Sequence, residues 1–163
     1  MAQLLTVVSS HLPVSVYTTD TSKGIFRKML PLGSKYQLRL ISVNMRGYRG
    51  STAYNVTEIE EISSPNIEVQ AAAVRKFGRE IAQFLVYVCT KLGISPIRTD
   101  GEGLSAGLVL LTWSMSNLAI TTILGDRNTL EVQQRHTLSR FLRKAIIYGM
   151  RYPLCDEVVG SLT

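Results

Sequence analysis

Arginine and lysine are the residues whose spacing carries the clearest chemistry in this chain. Drawn as a helix of about 3.6 residues per turn, Thr129–Arg151 places His136, Arg140, Arg143, Lys144 and Arg151 on one arc. Leu130, Leu138, Phe141, Leu142, Ala145 and Gly149 fall on the opposite arc. No acid neutralises the cationic side, so it is available to an anionic surface while the apolar side docks on a core. Ile147 lies in the middle of the cationic arc. An exposed isoleucine among arginines suits a lipid surface or a protein partner better than plain solvent.

Two further basic groups compete with this one. Lys23–Gly50 carries Lys23, Arg27, Lys28, Lys35, Arg39, Arg46 and Arg49 without a single acid. Within it, Arg46-Gly47-Tyr48-Arg49-Gly50 reads as a turn with arginines to fork onto phosphate and a tyrosine to stack. The plainer reading is a surface hairpin loop. Arg75, Lys76 and Arg79, partly neutralised by Glu80, read as an ordinary solvated helix face.

Catalytic and metal chemistry is not signalled. No glycine-rich phosphate loop leads into a lysine, and there is neither a nucleophile elbow nor a histidine pair at metal spacing. His11 and His136 are the only histidines, and the basic surroundings of His136 oppose its protonation. Asp100-Gly101-Glu102-Gly103 sets two carboxylates close together, which reads as a polar turn in preference to a metal site or an acid/base pair. Tyr148 and Tyr152 have no base partner. The expectation is a non-enzyme with no cofactor and no metal.

Composition agrees with binding rather than catalysis. The 163 residues suit one domain, 1–163, with a real core. The net charge of +6, from 18 basic and 12 acidic residues, favours phosphate-bearing partners without choosing between nucleic acid and lipid. Cys89 and Cys155 make no disulfide framework, and Cys89 sits in an apolar run as a small core side chain. Met1–Ser10 lacks the basic start of a signal peptide, so the expected setting is cytoplasm, with Asn55-Val56-Thr57 an idle glycosylation sequon.

The elements that must position these groups are strands first, helices later. Leu4–Val8, Val14–Thr18, Tyr36–Val43 and Thr52–Ile62 are rich in β-branched and aromatic residues. Ser64-Pro65 opens a helix over 65–92 with Phe77, Ile81, Phe84, Leu85, Val88 and Leu92 as its core face. Gly78 marks a bend or a close packing in it. The charge-free stretch Leu104–Leu124 has too many hydroxyl and amide groups for a lone membrane span. It reads as a hairpin, with strands near Gly107–Trp113 and Leu118–Leu124. Asn128, with Glu131 three residues on, starts the last helix, over 129–151. The expected fold is α+β: an antiparallel β-sheet with two long amphipathic helices packed on it.

This order of strands, long helix, hairpin and a final helix reading Phe141-Leu142-Arg143-Lys144-Ala145-Ile146-Ile147-Tyr148-Gly149-Met150 is similar to the matrix proteins of rhabdoviruses. It most resembles the short matrix proteins of plant cytorhabdoviruses, over Tyr36–Arg151. The resemblance implies a structural protein of the virion and of the cytoplasmic face of host membranes. Such a protein self-associates and links the viral nucleocapsid to anionic membrane, here through Arg46, Arg49, Arg140, Arg143, Lys144 and Ile147. The chain lacks the Pro-Pro-x-Tyr budding motif and the lysine-rich arm of the animal members. The alternative is a small viral accessory protein that binds RNA through Arg46–Gly50 and the last helix. The acidic and apolar Cys155-Asp156-Glu157-Val158-Val159 is a last strand, or a tail that docks on another copy.

Overall fold

The structure, a computed structural model, describes residues 4–10, 29–48, 51–101, 103–113 and 116–148. In chain order these form β1 (Leu4–Ser10), α1 (Leu30–Lys35), β2 (Leu38–Asn44), α2 (Val56–Ile62) and α3 (Ile67–Lys91). There follow β3 (Arg98–Asp100), β4 (Gly103–Ser105), β5 (Leu108–Trp113), α4 (Ser116–Gly125), α5 (Val132–Phe141) and β6 (Leu142–Tyr148). The expected strand Val14–Thr18 and the segment Cys155–Val159 lie outside the described residues.

Four strands make the main sheet, in the order β2-β1-β5-β6. β1 runs antiparallel to both β2 and β5, with Val7 opposite Ile41 on one side and Leu110 on the other. β6 runs parallel to β5, with Leu110 opposite Ala145 and Thr112 opposite Ile147. The sheet is therefore mixed. One helix of 25 residues is joined by four of 6 to 10. This corrects the expectation of an antiparallel sheet carrying two long helices.

Both errors have a local origin in the second half. Leu118–Leu124, expected as the return strand of a hairpin, is helical as part of α4. Its β-branched run Ile120-Thr121-Thr122-Ile123 favours a strand locally, but Ser116, Ala119, Ile120 and Ile123 are buried at helical spacing. Asn117 at its start is fully buried and accepts a 2.6 Å hydrogen bond from the Thr112 hydroxyl. With 116–125 and 132–141 both helical, the chain crosses over before it pairs again. A strand that returns beside β5 through such a crossover lies parallel to it.

The last helix is shorter than its apolar pattern implies. α5 starts at Val132, after an N-cap at Glu131 rather than Asn128, with the Gln134 side chain accepting from the Glu131 amide at 3.1 Å. It stops at Phe141 because Leu142 is extended, at φ −76 and ψ 97. Ala145-Ile146-Ile147-Tyr148 gains a hydrogen-bonded ladder with β5 that a free helical end would lack.

Further changes lie earlier in the chain. Thr52–Ile62 is not a strand: Asn55 caps α2, its side chain accepting from the Glu58 amide at 2.9 Å while Glu58 accepts from the Asn55 amide at 3.0 Å. α3 is capped by Asn66 rather than Ser64, with the Glu68 amide donating to its side chain at 2.8 Å. Its buried stripe is Ala73, Gly78, Ala82, Leu85, Val88 and Cys89, while Phe77, Ile81 and Phe84 are only half-buried. Gly78 explains the rotation. A Cβ there would lie 2.4 Å from the Thr122 hydroxyl and 3.0 Å from Thr129 Cγ2, so α3 and α4 touch where the side chain is missing.

The core gathers Ile41, Leu108 and Leu110 from the sheet with Ala82, Leu85, Val88 and Cys89 of α3. Ile120 and Ile123 of α4 and Leu138 and Phe141 of α5 complete it. Burial of this apolar surface, at about 25 cal/mol per Å², holds the elements that present the charged side chains. No helix among the described residues is long and apolar enough to cross a membrane.

Candidate interaction surface at the α5–β6 junction

In the turn after β2, read as able to fork arginines onto phosphate, Arg46 is already occupied. Arg46 Nη2 donates to Glu58 Oε2 at 2.7 Å, and Nη1 donates to Glu58 Oε1 at 2.9 Å and to Glu80 Oε1 at 2.8 Å. Lys76 Nζ stands 3.3 Å from Glu58 and 3.9 Å from Glu61. Two cations thus face three carboxylates, and the cluster has no positive surplus to offer an anion. The Arg46 guanidinium also lies over the Tyr54 ring, 4.9 Å from its centroid. Forked hydrogen bonding from Arg46 and the Asn55 amide hold Glu58 down to a pKa of about 2. Arg46, expected as a membrane- or nucleocapsid-binding residue, ties the turn after β2 to α2 and α3. Arg49 lies outside the described residues.

The other candidates lie at the end of α5 and along β6, not on a helix face. Arg140 is exposed on the last turn of α5, its guanidinium 6.0 Å from the Phe141 ring centroid. Arg143, Lys144 and Ile147 belong to β6. The single cationic arc is thus replaced by a helix-to-strand corner. Lys144 is exposed and Arg143 is half-buried. Ile147 is 46% exposed and its neighbour Ile146 is 39% exposed. Consecutive strand residues point to opposite faces, so exposure of both places the end of β6 at a rim open on two sides.

Neighbouring elements pin this corner. The Ile97 amide donates to the Arg140 carbonyl at 2.9 Å, and the Gly107 amide donates to the Ser95 carbonyl at 3.0 Å. Gly107 has φ +77, and a Cβ there would meet the Phe141 carbonyl oxygen at 2.7 Å and Ile97 at 2.8 Å. The backbone that carries Arg140 therefore fits only beside a glycine. Arg98, one residue after Ile97, is exposed on β3.

Two flanking residues escaped the sequence reading. Ile146 was passed over because a helical drawing gives it no special place, although two adjacent isoleucines are a strand signal. Arg135 was passed over as one charge among several. It donates to the carbonyls of Arg127 and Leu130, the latter at 3.3 Å, and so is held beside the α4–α5 loop.

Elsewhere the chemistry is sparse. Among the described residues, no group of three or more histidine, cysteine, aspartate or glutamate side chains is placed to hold a metal. Asp100 closes β3 and faces Gly103 in the β3–β4 pair, while His11 and Glu102 lie outside the described residues. Cys89 is buried in the core, and desolvation pushes its thiol up to about 11. Arg39 points to the end of α3 and donates to the Leu92 carbonyl, an arginine placed against the negative end of a helix.

Compared with known proteins, the chain matches no family, no curated protein and no solved structure.

Proposed function

We propose that this chain is a non-enzymatic, matrix-type structural protein that binds anionic membrane through the α5–β6 junction. It self-associates and bridges the membrane to a nucleocapsid. The observation that carries the membrane part is the company kept by Ile146 and Ile147, exposed aliphatic side chains next to exposed Lys144 and near exposed Arg140. Cations meet lipid phosphates while the isoleucines enter the headgroup–acyl boundary, a pairing of charge and apolar area that peripheral membrane surfaces use.

The likeness to rhabdovirus matrix proteins rests on element order over Tyr36–Arg151 and on the basic-aromatic final segment. In the fold 118–124 is helical and 142–148 is a strand. What supports it is the basic-aromatic segment Arg140–Tyr148, together with two outer strands. β2 and β6 each have one neighbour among the described strands, and such edges are ready templates for another copy.

The test is co-sedimentation with vesicles of phosphatidylserine and phosphatidylcholine against phosphatidylcholine alone, with RNA at the same ionic strength as a competitor. Binding only to the anionic vesicles, lost in Arg140→Glu/Lys144→Glu with the circular dichroism unchanged, supports the reading. Preference for RNA over the vesicles overturns it in favour of an accessory RNA-binding protein. A strict monomer at high concentration in analytical ultracentrifugation removes the self-association.

A further inference from the structure

A cavity of about 430 Å³ opens between the end of α4, the α4–α5 loop, α5 and the first residue of β6. Its volume is within the usual range for small-molecule sites, about 300 to 1,000 Å³. Ile123 and Leu138, both buried, form the floor, and half-buried Leu130 and Leu142 form the walls. Leu124 stands at the lip, 57% exposed. The mouth carries Arg127, Arg135 and Asp126. Asp126 is engaged by Arg75 at 3.7 Å and by the Asn128 amide at 2.8 Å. Neither Arg127 nor Arg135 has an acidic partner among the described residues.

We propose that this cavity takes one acyl chain of an anionic phospholipid, whose phosphate is met by Arg127 and Arg135. The proposal rests on the membrane reading of the adjoining surface and names the lipid that would dock there. An apolar hollow with two guanidinium groups that no described acid neutralises is complementary to a molecule with an apolar body and an anionic head. Arg135 donates to the carbonyls of Arg127 and Leu130, which keeps it beside the α4–α5 loop that borders the cavity. Position supports the same occupant. Ser139 and Leu142 line the cavity, and Arg140 and Lys144 lie one and two residues from them. A chain drawn from the bilayer would thus enter beside the surface that faces it.

The experiment is titration calorimetry with a single-chain lysophosphatidic acid kept below its micelle concentration. A lysophosphatidylcholine of equal chain length and inorganic phosphate serve as separate arms. The expected result is saturable binding of one lysophosphatidic acid per chain, at least tenfold tighter than the choline lipid, with no measurable binding of phosphate alone. Arg127→Gln should weaken it about fivefold, the loss of one cation near a phosphate. Ser139→Trp, a substitution at an exposed position on the wall, should abolish it by filling the hollow. Equal binding of the choline lipid, or unchanged binding by a folded Ser139→Trp variant, overturns the proposal. Arg140→Glu/Lys144→Glu separates the two readings. Vesicle binding lost with single-lipid binding retained upholds both. Vesicle binding retained by Ser139→Trp while wild-type protein takes up no single lipid sinks the cavity alone.

Discussion

Arg46 shows how far a residue's company decides its role. In the linear chain it stands in an acid-free run of basic residues, yet the carboxylates that neutralise it arrive from α2 and α3, 12 and 34 positions away. The pH dependence follows from Glu58. Its ordinary value of 4.5 falls to about 2 in the fold, so the folded state prefers the charged carboxylate. The stability this contributes is complete above about pH 4.5 and is lost as the pH falls toward about 2. Urea unfolding measured across that window should show a slope that Glu58→Gln flattens, with the variant less stable than wild type at neutral pH. Cys89 offers a second check. Its thiol is buried and raised to about 11. Peptide mapping after brief iodoacetamide treatment at pH 8 should find Cys89 unmodified in the folded protein and modified in urea.

At the scale of elements, Gly78 and Gly107 are sensitive points. Gly78 lies in mid-helix, where alanine would ordinarily gain about 1 kcal/mol of helix propensity. The Thr122 hydroxyl at 2.4 Å from the would-be Cβ reverses the sign. Overpacking of this kind costs about 1–3 kcal/mol. Gly78→Ala is therefore expected to lower the thermal midpoint, and Gly78→Ala/Thr122→Ala to recover part of the loss. Gly107→Ala should do worse, because the obstacle is the Phe141 backbone carbonyl and φ is +77. A loss of roughly 2 kcal/mol or more in denaturant midpoints is expected there, with the α5–β6 corner loosened before the rest. Hydrogen exchange at Ile97, whose amide donates to Arg140, would report that loosening.

For the molecule as a whole, the question is how charge is distributed over the folded surface. The net +6 is a property of composition, and the Arg46 cluster, two cations against three carboxylates, holds none of that surplus. The α5–β6 corner sets exposed Arg140 and Lys144 near exposed Ile146 and Ile147. Each cation near an anionic bilayer contributes about 1 kcal/mol, so Arg140→Gln/Lys144→Gln should weaken vesicle binding about 30-fold. Raising the salt should weaken binding of the wild type more steeply than of this variant, since fewer charges are left to screen. Vesicle flotation over a salt series measures both slopes. A variant as salt-sensitive as wild type would place the contact elsewhere.

Several features were legible in the linear chain because they are set by near neighbours. The strands at Leu4 and Leu38, the long helix ending before Gly93, the buried Cys89 and the polar turn after Asp100 all follow from periodicity and caps within a few residues. The basic-apolar character of Arg140–Ile147 is equally a matter of composition, and it survives the change from helix to strand. Tertiary structure decided the rest. Leu118–Leu124 and Ala145–Tyr148 both carry β-branched pairs that favour a strand locally, yet the first is helical and the second is a strand, so the outcome depended on which partner surface was at hand. For the first it was the groove beside Gly78, and for the second the open side of β5. The neutralising of Arg46 and the cavity between α4 and α5 were settled in the same way. Both depend on residues brought together from distant parts of the chain, and no local pattern encodes a distance between them.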